Sequence, residues 1–74
     1  MRIETIENYL KNIYNLSSHN TQVVSNQKLA DKLAISPASV TEALRKLHEL
    51  KFVIYEKSYG TRLTSQGTKE ALAI

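Results

Sequence analysis

Ser36 and Pro37 stand directly before a run of apolar residues with helical spacing, and this pair constrains the fold more than any other feature of the sequence. A serine at the N-cap accepts a hydrogen bond from the first turn, and a proline at the first helical position loses no backbone bond. The apolar residues that follow share one side of a helix: Val40, Ala43, Leu44, Leu47 and Leu50. The pattern predicts a helix over residues 37–50 with a polar opposite face.

Two earlier segments also have the spacing of helices. Residues 3–16 are predicted to form an amphipathic helix, with Tyr9 as a flanking packing residue, because four apolar residues share its inner side: Ile3, Ile6, Leu10 and Ile13. Ser25 is a predicted N-cap for a second helix over residues 26–34. The second and third helices are then separated by only a short turn.

Residues 52–64 are predicted to form a β-hairpin. The stretch "FVIYEK" is β-branched and aromatic, "SYG" is typical of a tight turn, and "TRLT" returns as a second strand. Gly60 is expected to supply positive φ in that turn. Thr64 or Ser65 then caps the start of a fourth helix.

Three helices, a two-stranded hairpin and the start of a fourth helix make an α+β fold that is mostly α, the winged helix-turn-helix. With 74 residues, the chain is expected to be a single domain over 1–74. It has no cysteine, no apolar run long enough to span a membrane and no secretion signal at its start, so a cytoplasmic protein is expected.

The polar face of the third helix is the candidate DNA-reading surface, because in this fold the second helix of the pair enters the major groove. Small residues there allow close approach, hydroxyls can bond base edges, and Arg45 can reach guanine or phosphate. Glu42 repels phosphate but can accept from a cytosine amino group. The candidate DNA-binding residues of this helix are Ser36, Pro37, Ala38, Ser39, Thr41, Glu42 and Arg45.

The hairpin is expected to lie over the sugar-phosphate backbone or the minor groove. Lys57, Tyr59 and Arg62 are its candidate contacts, adding affinity and register more than base choice. The net charge is +3, and residues 25–62 hold seven basic against four acidic residues, so the positive excess lies in this part of the chain. Double-stranded DNA is therefore the predicted partner.

Catalysis and protein binding are the alternatives to DNA binding. Catalysis is excluded, since the sequence has no glycine-rich phosphate loop, no paired carboxylates on one face and no nucleophile beside a plausible base. His48 fits a cation at the negative end of the third helix better than a catalyst. A winged helix that binds protein instead of DNA stays open, because Glu42 and Glu49 flank Arg45.

Three stretches carry a resemblance to a known family: "ENYLKNIYNL" (7–16), "VSNQKLADKLAISPASVTEALRKL" (24–47) and "FVIYEKSYGTRLTSQG" (52–67). Together they cover almost the whole chain and closely resemble the N-terminal DNA-binding domain of the diphtheria toxin repressor (DtxR-type) family, the iron- and manganese-dependent transcriptional regulators of bacteria. The resemblance implies a repressor that binds a palindromic operator as a dimer when a divalent metal is loaded.

The resemblance implies little metal binding by this chain itself. Family members take a ligand at the position of Asn8, and some take a glutamate where this chain has Lys11. Asn8 is thus the one candidate metal ligand, and a weak one, because its amide is neutral and Lys11 repels cations. No cofactor is expected within the chain, whereas the resemblance implies that a full-length parent could take iron or manganese.

The resemblance implies that the family's metal-binding and dimerisation domain follows this part of the chain in family members and is not expected within residues 1–74. A homodimer is therefore expected only with a longer parent chain. The ending "KEALAI" stops within an apolar helical pattern, which favours a domain cut from a longer regulator over a stand-alone protein.

Overall fold

Four helices and a two-stranded hairpin follow one another in the computed structural model, which describes residues 1–73. The elements are α1 (Ile3–Leu16), α2 (Asn26–Leu33), α3 (Pro37–Glu49), β1 (Val53–Glu56), β2 (Gly60–Leu63) and α4 (Ser65–Leu72). This order confirms the predicted winged helix-turn-helix. The last residue of the predicted 1–74 domain, Ile74, lies outside the described residues.

The helices begin where the sequence places its caps. The Ser25 hydroxyl accepts from the backbone N–H of the third helical residue of α2, and Ser36 does the same for α3 at 3.2 Å. For α4 the cap is Thr64 and not Ser65, because its hydroxyl accepts from the Gly67 N–H at 3.0 Å. Side-chain caps satisfy N–H groups that have no partner within the helix.

The helix ends depart slightly from the predicted bounds. Ala34, expected as the last residue of α2, is its C-cap in the left-handed region, with φ 57°. The third helix ends at Glu49, and Leu50 is 48% exposed, so its predicted inward position is wrong. Lys51 follows with φ 67°, and this reversal turns the chain into the hairpin. Ile3, also predicted to face inward, is 69% exposed at the end of α1.

The core gathers the remaining predicted apolar faces. Its fully buried large side chains come from α1, the loop before α2, α2, α3 and β1: Leu10, Ile13, Val24, Leu29, Val40, Leu44, Leu47 and Val53. Tyr9 is buried beside them, as expected of a packing residue. Burial raises the pKa of the Tyr9 phenol above its ordinary value.

The hairpin is antiparallel, with Val53 opposite Leu63 and Glu56 opposite Gly60. Gly60 therefore opens β2 and does not lie in the turn, which is formed by residues 57–59. Its φ of 116° confirms the expected positive φ. A Cβ on Gly60 would also collide with the Val24 carbonyl oxygen, so the site needs glycine for two separate reasons.

The base of the hairpin is held by the segment between α1 and α2. Val24 and Thr61 exchange two backbone hydrogen bonds of 2.9 Å, which form an isolated antiparallel bridge. The Asn20 side chain donates to the Leu63 carbonyl at 3.1 Å and accepts from the Leu63 N–H at 2.9 Å. Together these bonds fix β2 against the helical core.

Within residues 1–73, no helix combines the length and the apolar character that crossing a membrane requires.

Candidate nucleic-acid interface

The outer face of α3 is open to solvent along its length. Six of its predicted contact residues are exposed, and Thr41 is half-buried; the exposed ones are Ser36, Pro37, Ala38, Ser39, Glu42 and Arg45. The helix turns this face outward because Val40, Leu44 and Leu47 occupy the opposite side in the core. The surface is therefore available to a partner.

The hydroxyls at the start of α3 are not equally free. Ser36 accepts from the Ser39 N–H and donates to the Ser39 Oγ at 2.9 Å, so its proton is already used. The Ser39 hydroxyl only accepts in that bond and keeps its own proton. Of the two serines, Ser39 is the better donor to a base edge or a phosphate.

The Thr41 hydroxyl has fewer free hydrogen-bonding positions than the sequence suggested. Its hydroxyl donates to the Pro37 carbonyl at 3.0 Å and accepts from Asn26 Nδ2 at 2.8 Å. A hydroxyl has one proton and two lone pairs, so a single acceptor position is left.

A cleft of about 400 Å³ separates α3 from the hairpin. Arg45 lines it from the helix, and Lys57 and Tyr59 line it from the turn of the hairpin. Both charged residues in its lining are cations, which favours an anionic occupant. The fold thus brings Arg45 together with two predicted contact residues of the hairpin turn that are distant from it in the sequence.

Arg62 lies elsewhere. It pairs with Ile54 across the hairpin and lines an adjoining groove of about 310 Å³, together with Val23 and Glu56; Tyr59 lines both the groove and the cleft. Its Nη2 donates to the Asn20 carbonyl at 3.2 Å, which ties the side chain to the base of the hairpin. The structure therefore does not bring Arg62 to the cleft that holds Arg45.

Two side chains join the hairpin to α3, and sequence reasoning missed both contacts. Asn26 Nδ2 bonds Thr41 and also lies 3.4 Å from the Tyr55 hydroxyl, and His48 Nδ1 accepts from the Tyr55 N–H at 3.2 Å. The predicted role of His48 at the negative end of α3 stays a prediction. No local pattern marks these contacts, since Asn26 looks like an ordinary first-turn residue next to its cap.

Asn8, the candidate metal ligand, is exposed on α1, and the Asn12 side chain donates both to its carbonyl at 2.7 Å and to its Oδ1 at 3.2 Å. Over residues 1–73, no three or more His, Cys, Asp or Glu side chains are grouped in a way that could hold a metal ion. Asn8 and the side chains described around it therefore do not fit a resident metal ion. The role of Asn8 as a metal ligand stays a prediction.

Comparison with known proteins gives the family. Residues 1–61 match the model of the iron dependent repressor, N-terminal DNA binding domain. An HTH-type transcriptional regulator of Methanocaldococcus jannaschii is 39% identical over 71 residues, which is 96% of this chain and 57% of that protein. The HTH-type transcriptional regulator MntR of Bacillus subtilis is 36% identical over 69 residues, covering 93% of this chain and 48% of MntR.

Solved structures agree with this assignment. The manganese regulator SloR superposes with a TM-score of 0.70 at 36% identity, and ScaR with bound Zn²⁺ with a TM-score of 0.72 at 35% identity. Each superposition covers 89% of this chain and 30% of the chain it is compared with.

The chain spans about half the length of the curated relatives it matches. Those relatives are transcriptional regulators and not enzymes, which confirms the prediction that this chain is not an enzyme. None of them favours the alternative of a winged helix that binds only protein. The chain belongs to the family of N-terminal DNA-binding domains of iron-dependent repressors.

Proposed function

We propose that this domain binds duplex DNA with α3 in the major groove and the turn of its hairpin against the sugar-phosphate backbone. The observation that carries the geometry is the cleft in which Arg45 faces Lys57 and Tyr59 beside the exposed face of α3. A winged helix placed in this way offers small residues to the bases and cations to the phosphates.

The contacts divide into two groups. Ala38, Ser39 and Glu42 are the proposed base contacts, since they are exposed on the outer face of α3. Lys57 and Tyr59 are proposed to lie on the backbone, where they add affinity without base choice. Arg45, between the two groups, is proposed to reach either a guanine edge or a phosphate. Arg62 is proposed as a weaker contact, because its guanidinium is already bonded to the Asn20 carbonyl.

The whole regulator is proposed to be a metal-dependent repressor acting in the cytoplasm. The support is the family match and the names of its relatives, which include the manganese regulator SloR. Iron or manganese is the proposed effector, acting on a longer parent. That parent is proposed to bind a palindromic operator as a homodimer, since an operator's symmetry mirrors that of a dimeric protein.

Fluorescence anisotropy of the domain on a mixed-sequence duplex at two low salt concentrations tests the DNA-binding step. A single module buries only about 600–1,000 Å² on DNA, so weak binding is expected and low salt is needed to detect it. Arg45→Ala is expected to weaken binding by about 1–3 kcal/mol if the guanidinium bonds a guanine, measured on a duplex that the domain selects from a randomised library.

Arg2→Ala is the matched control, because Arg2 is also an exposed arginine but precedes α1. It is expected to lower affinity less than Arg45→Ala does, because Arg2 does not line the cleft and can act on DNA only through long-range charge. Equal losses in both variants would mean that only net charge matters and would remove the specific role of Arg45. Absence of binding by the wild-type domain to every duplex at low salt would contradict the proposal itself.

A further inference from the structure

The Asn26 side chain connects three elements of the proposed interface. It is half-buried at the first position of α2, and its Nδ2 donates to Thr41 on α3 at 2.8 Å and to the Tyr55 hydroxyl on β1 at 3.4 Å. These partners are 15 and 29 residues away in sequence. One amide therefore bonds both the helix and the hairpin that the proposed function places on DNA.

The edge of α3 that faces the hairpin has a regular arrangement. Thr41, Arg45 and His48 follow the spacing that places residues on one side of a helix. Thr41 is tied to the hairpin side through Asn26, and His48 through the Tyr55 N–H. Arg45 lies between these two connections and lines the cleft. Its position over the cleft thus depends on contacts made on either side of it.

The direction of the bonds also matters. An Asn Nδ2 only donates, so it requires Thr41 Oγ1 to accept, and the Thr41 proton is then directed to the Pro37 carbonyl. The lone pair that remains can accept a hydrogen bond but the hydroxyl cannot donate one. In the major groove the donors are the amino groups of adenine N6 and cytosine N4.

We propose that Asn26 is a positioning residue that holds the hairpin at a fixed angle to α3 and makes Thr41 an acceptor, selective for an adenine or cytosine amino group. This inference rests on the proposed function, since it assigns a role within the same interface. Asn26 acts through Thr41 and Tyr55 and does not itself need to touch DNA.

The test uses Asn26→Asp and Asn26→Ala. Aspartate keeps the shape of asparagine but removes the donor, and alanine removes both bonds. Gln27→Glu is the matched control, because it adds the same charge at the neighbouring exposed position of α2, where Gln27 bonds only Asp31 at 2.8 Å. Far-UV circular dichroism melts establish that each variant is folded at the working temperature.

The first measurement needs no DNA. Residual dipolar couplings of the free domain report the angle between α3 and the hairpin, and in wild type both elements should fit one rigid body. In Asn26→Ala, but not in Gln27→Glu, the couplings of the hairpin are expected to depart from that fit. In Asn26→Asp the fit is expected to hold, because the carboxylate can accept from the Thr41 and Tyr55 hydroxyls and so keeps the hairpin connected while the bond direction is reversed. Couplings that are unchanged in Asn26→Ala would overturn the positioning role, whether or not the domain binds DNA.

The second measurement compares affinity for a duplex selected by the wild-type domain from a randomised library with affinity for a shuffled duplex of the same composition. The ratio of the two is expected to fall by about fivefold in both Asn26 variants, as for loss of one hydrogen bond, while the Gln27→Glu ratio stays at the wild-type value. Unchanged ratios would overturn the selectivity of Thr41. Absence of wild-type binding to any duplex would contradict the proposed function and, with it, this selectivity.

Thr41 variants separate selectivity from simple packing. Thr41→Val keeps the volume without the hydroxyl and should lower the ratio as Asn26→Ala does, with no further loss in the double variant, because the two residues act as one unit. Thr41→Ser retains the hydroxyl and should keep the wild-type ratio. Additive losses in the double variant would overturn the coupling.

Discussion

The base and the turn of the hairpin are built in opposite ways. At the base, Val53 and Leu63 are buried and the Asn20 amide bonds both backbone groups of Leu63. At the turn, residues 57–59 are exposed, and Tyr59 is 74% accessible although its N–H is bonded to Glu56. The base uses its side chains for stability, whereas the turn keeps its side chains free.

This difference shows how a small domain can hold an exposed binding turn rigidly by fixing the base of its hairpin. The segment that holds the base contains three consecutive residues in the left-handed region, Ser18, His19 and Asn20, with φ of 52°, 61° and 66°. Such conformations are unfavourable for residues other than glycine, and the bonds of Asn20 and the buried Ser17 offset that cost. The exposed turn can then meet a ligand without loss of the fold.

Gly60→Ala should have the largest effect on the base. The substitution places a side chain at φ 116° and forces a Cβ against the Val24 carbonyl, so we expect a loss of about 3 kcal/mol of unfolding free energy. Urea unfolding followed by circular dichroism measures it. Ser58→Gly, in the turn at φ 81°, is the control and should be neutral or slightly stabilising. A Gly60→Ala variant as stable as wild type would contradict the need for glycine at this position.

Asn20→Ala comes next in size. It leaves the N–H and the carbonyl of Leu63 without their side-chain partner, which is expected to cost about 2 kcal/mol in the same unfolding experiment. DNA affinity of the folded variant should change little if the turn and not the base makes the contact. Asn15→Ala, at an exposed position of α1, is the control and should stay within about 0.5 kcal/mol of wild type.

Lys57→Ala in the turn is expected to change DNA binding and not stability, the opposite of the two substitutions at the base. Since Lys57 is exposed, stability should change by less than about 0.5 kcal/mol. If its ammonium neutralises one phosphate, the slope of log affinity against log salt should decrease by about 0.9. Lys69→Ala, an exposed lysine on α4, should leave that slope unchanged. An unchanged slope for Lys57→Ala would mean that Lys57 does not neutralise a phosphate and would contradict the proposed contact of the turn with DNA.

The smallest expected effect concerns pH and the core behind the hairpin. Burial raises the pKa of Tyr9 in the folded state, so the neutral phenol contributes stability that is present below its unfolded pKa of about 10 and is lost as pH rises through the folded pKa. The unfolding midpoint of wild type should therefore fall more between pH 8 and pH 11 than that of Tyr9→Phe. Equal pH dependence in the two proteins would contradict the burial argument.

Much of the fold was predictable from local patterns. The caps at Ser25 and Ser36, the inward face of α3, and the switch to β-branched residues at the hairpin act within a few residues of each other. Where prediction was wrong, at Ile3 and Leu50, the residue lies at the end of a helix. There the apolar pattern continues beyond the surface that the core can cover.

The candidate site was predictable only in part. The outer face of α3 follows directly from its buried face, and its exposure matches the prediction. The division between Lys57 and Arg62 did not follow, because residues on one short hairpin can face two different grooves. Asn26 was missed because its partners are distant in sequence and its own position looks like an ordinary helix start.

The sequence by itself determined the order of the elements, their start signals and the polar face of α3, because periodicity and capping are local properties of the chain. Only the tertiary structure decided which cations share a cleft and how Asn20 and Asn26 fix the hairpin. The physical reason is that the bonds of these two side chains join residues 15 to 43 positions apart, and their formation depends on the packing of the whole core.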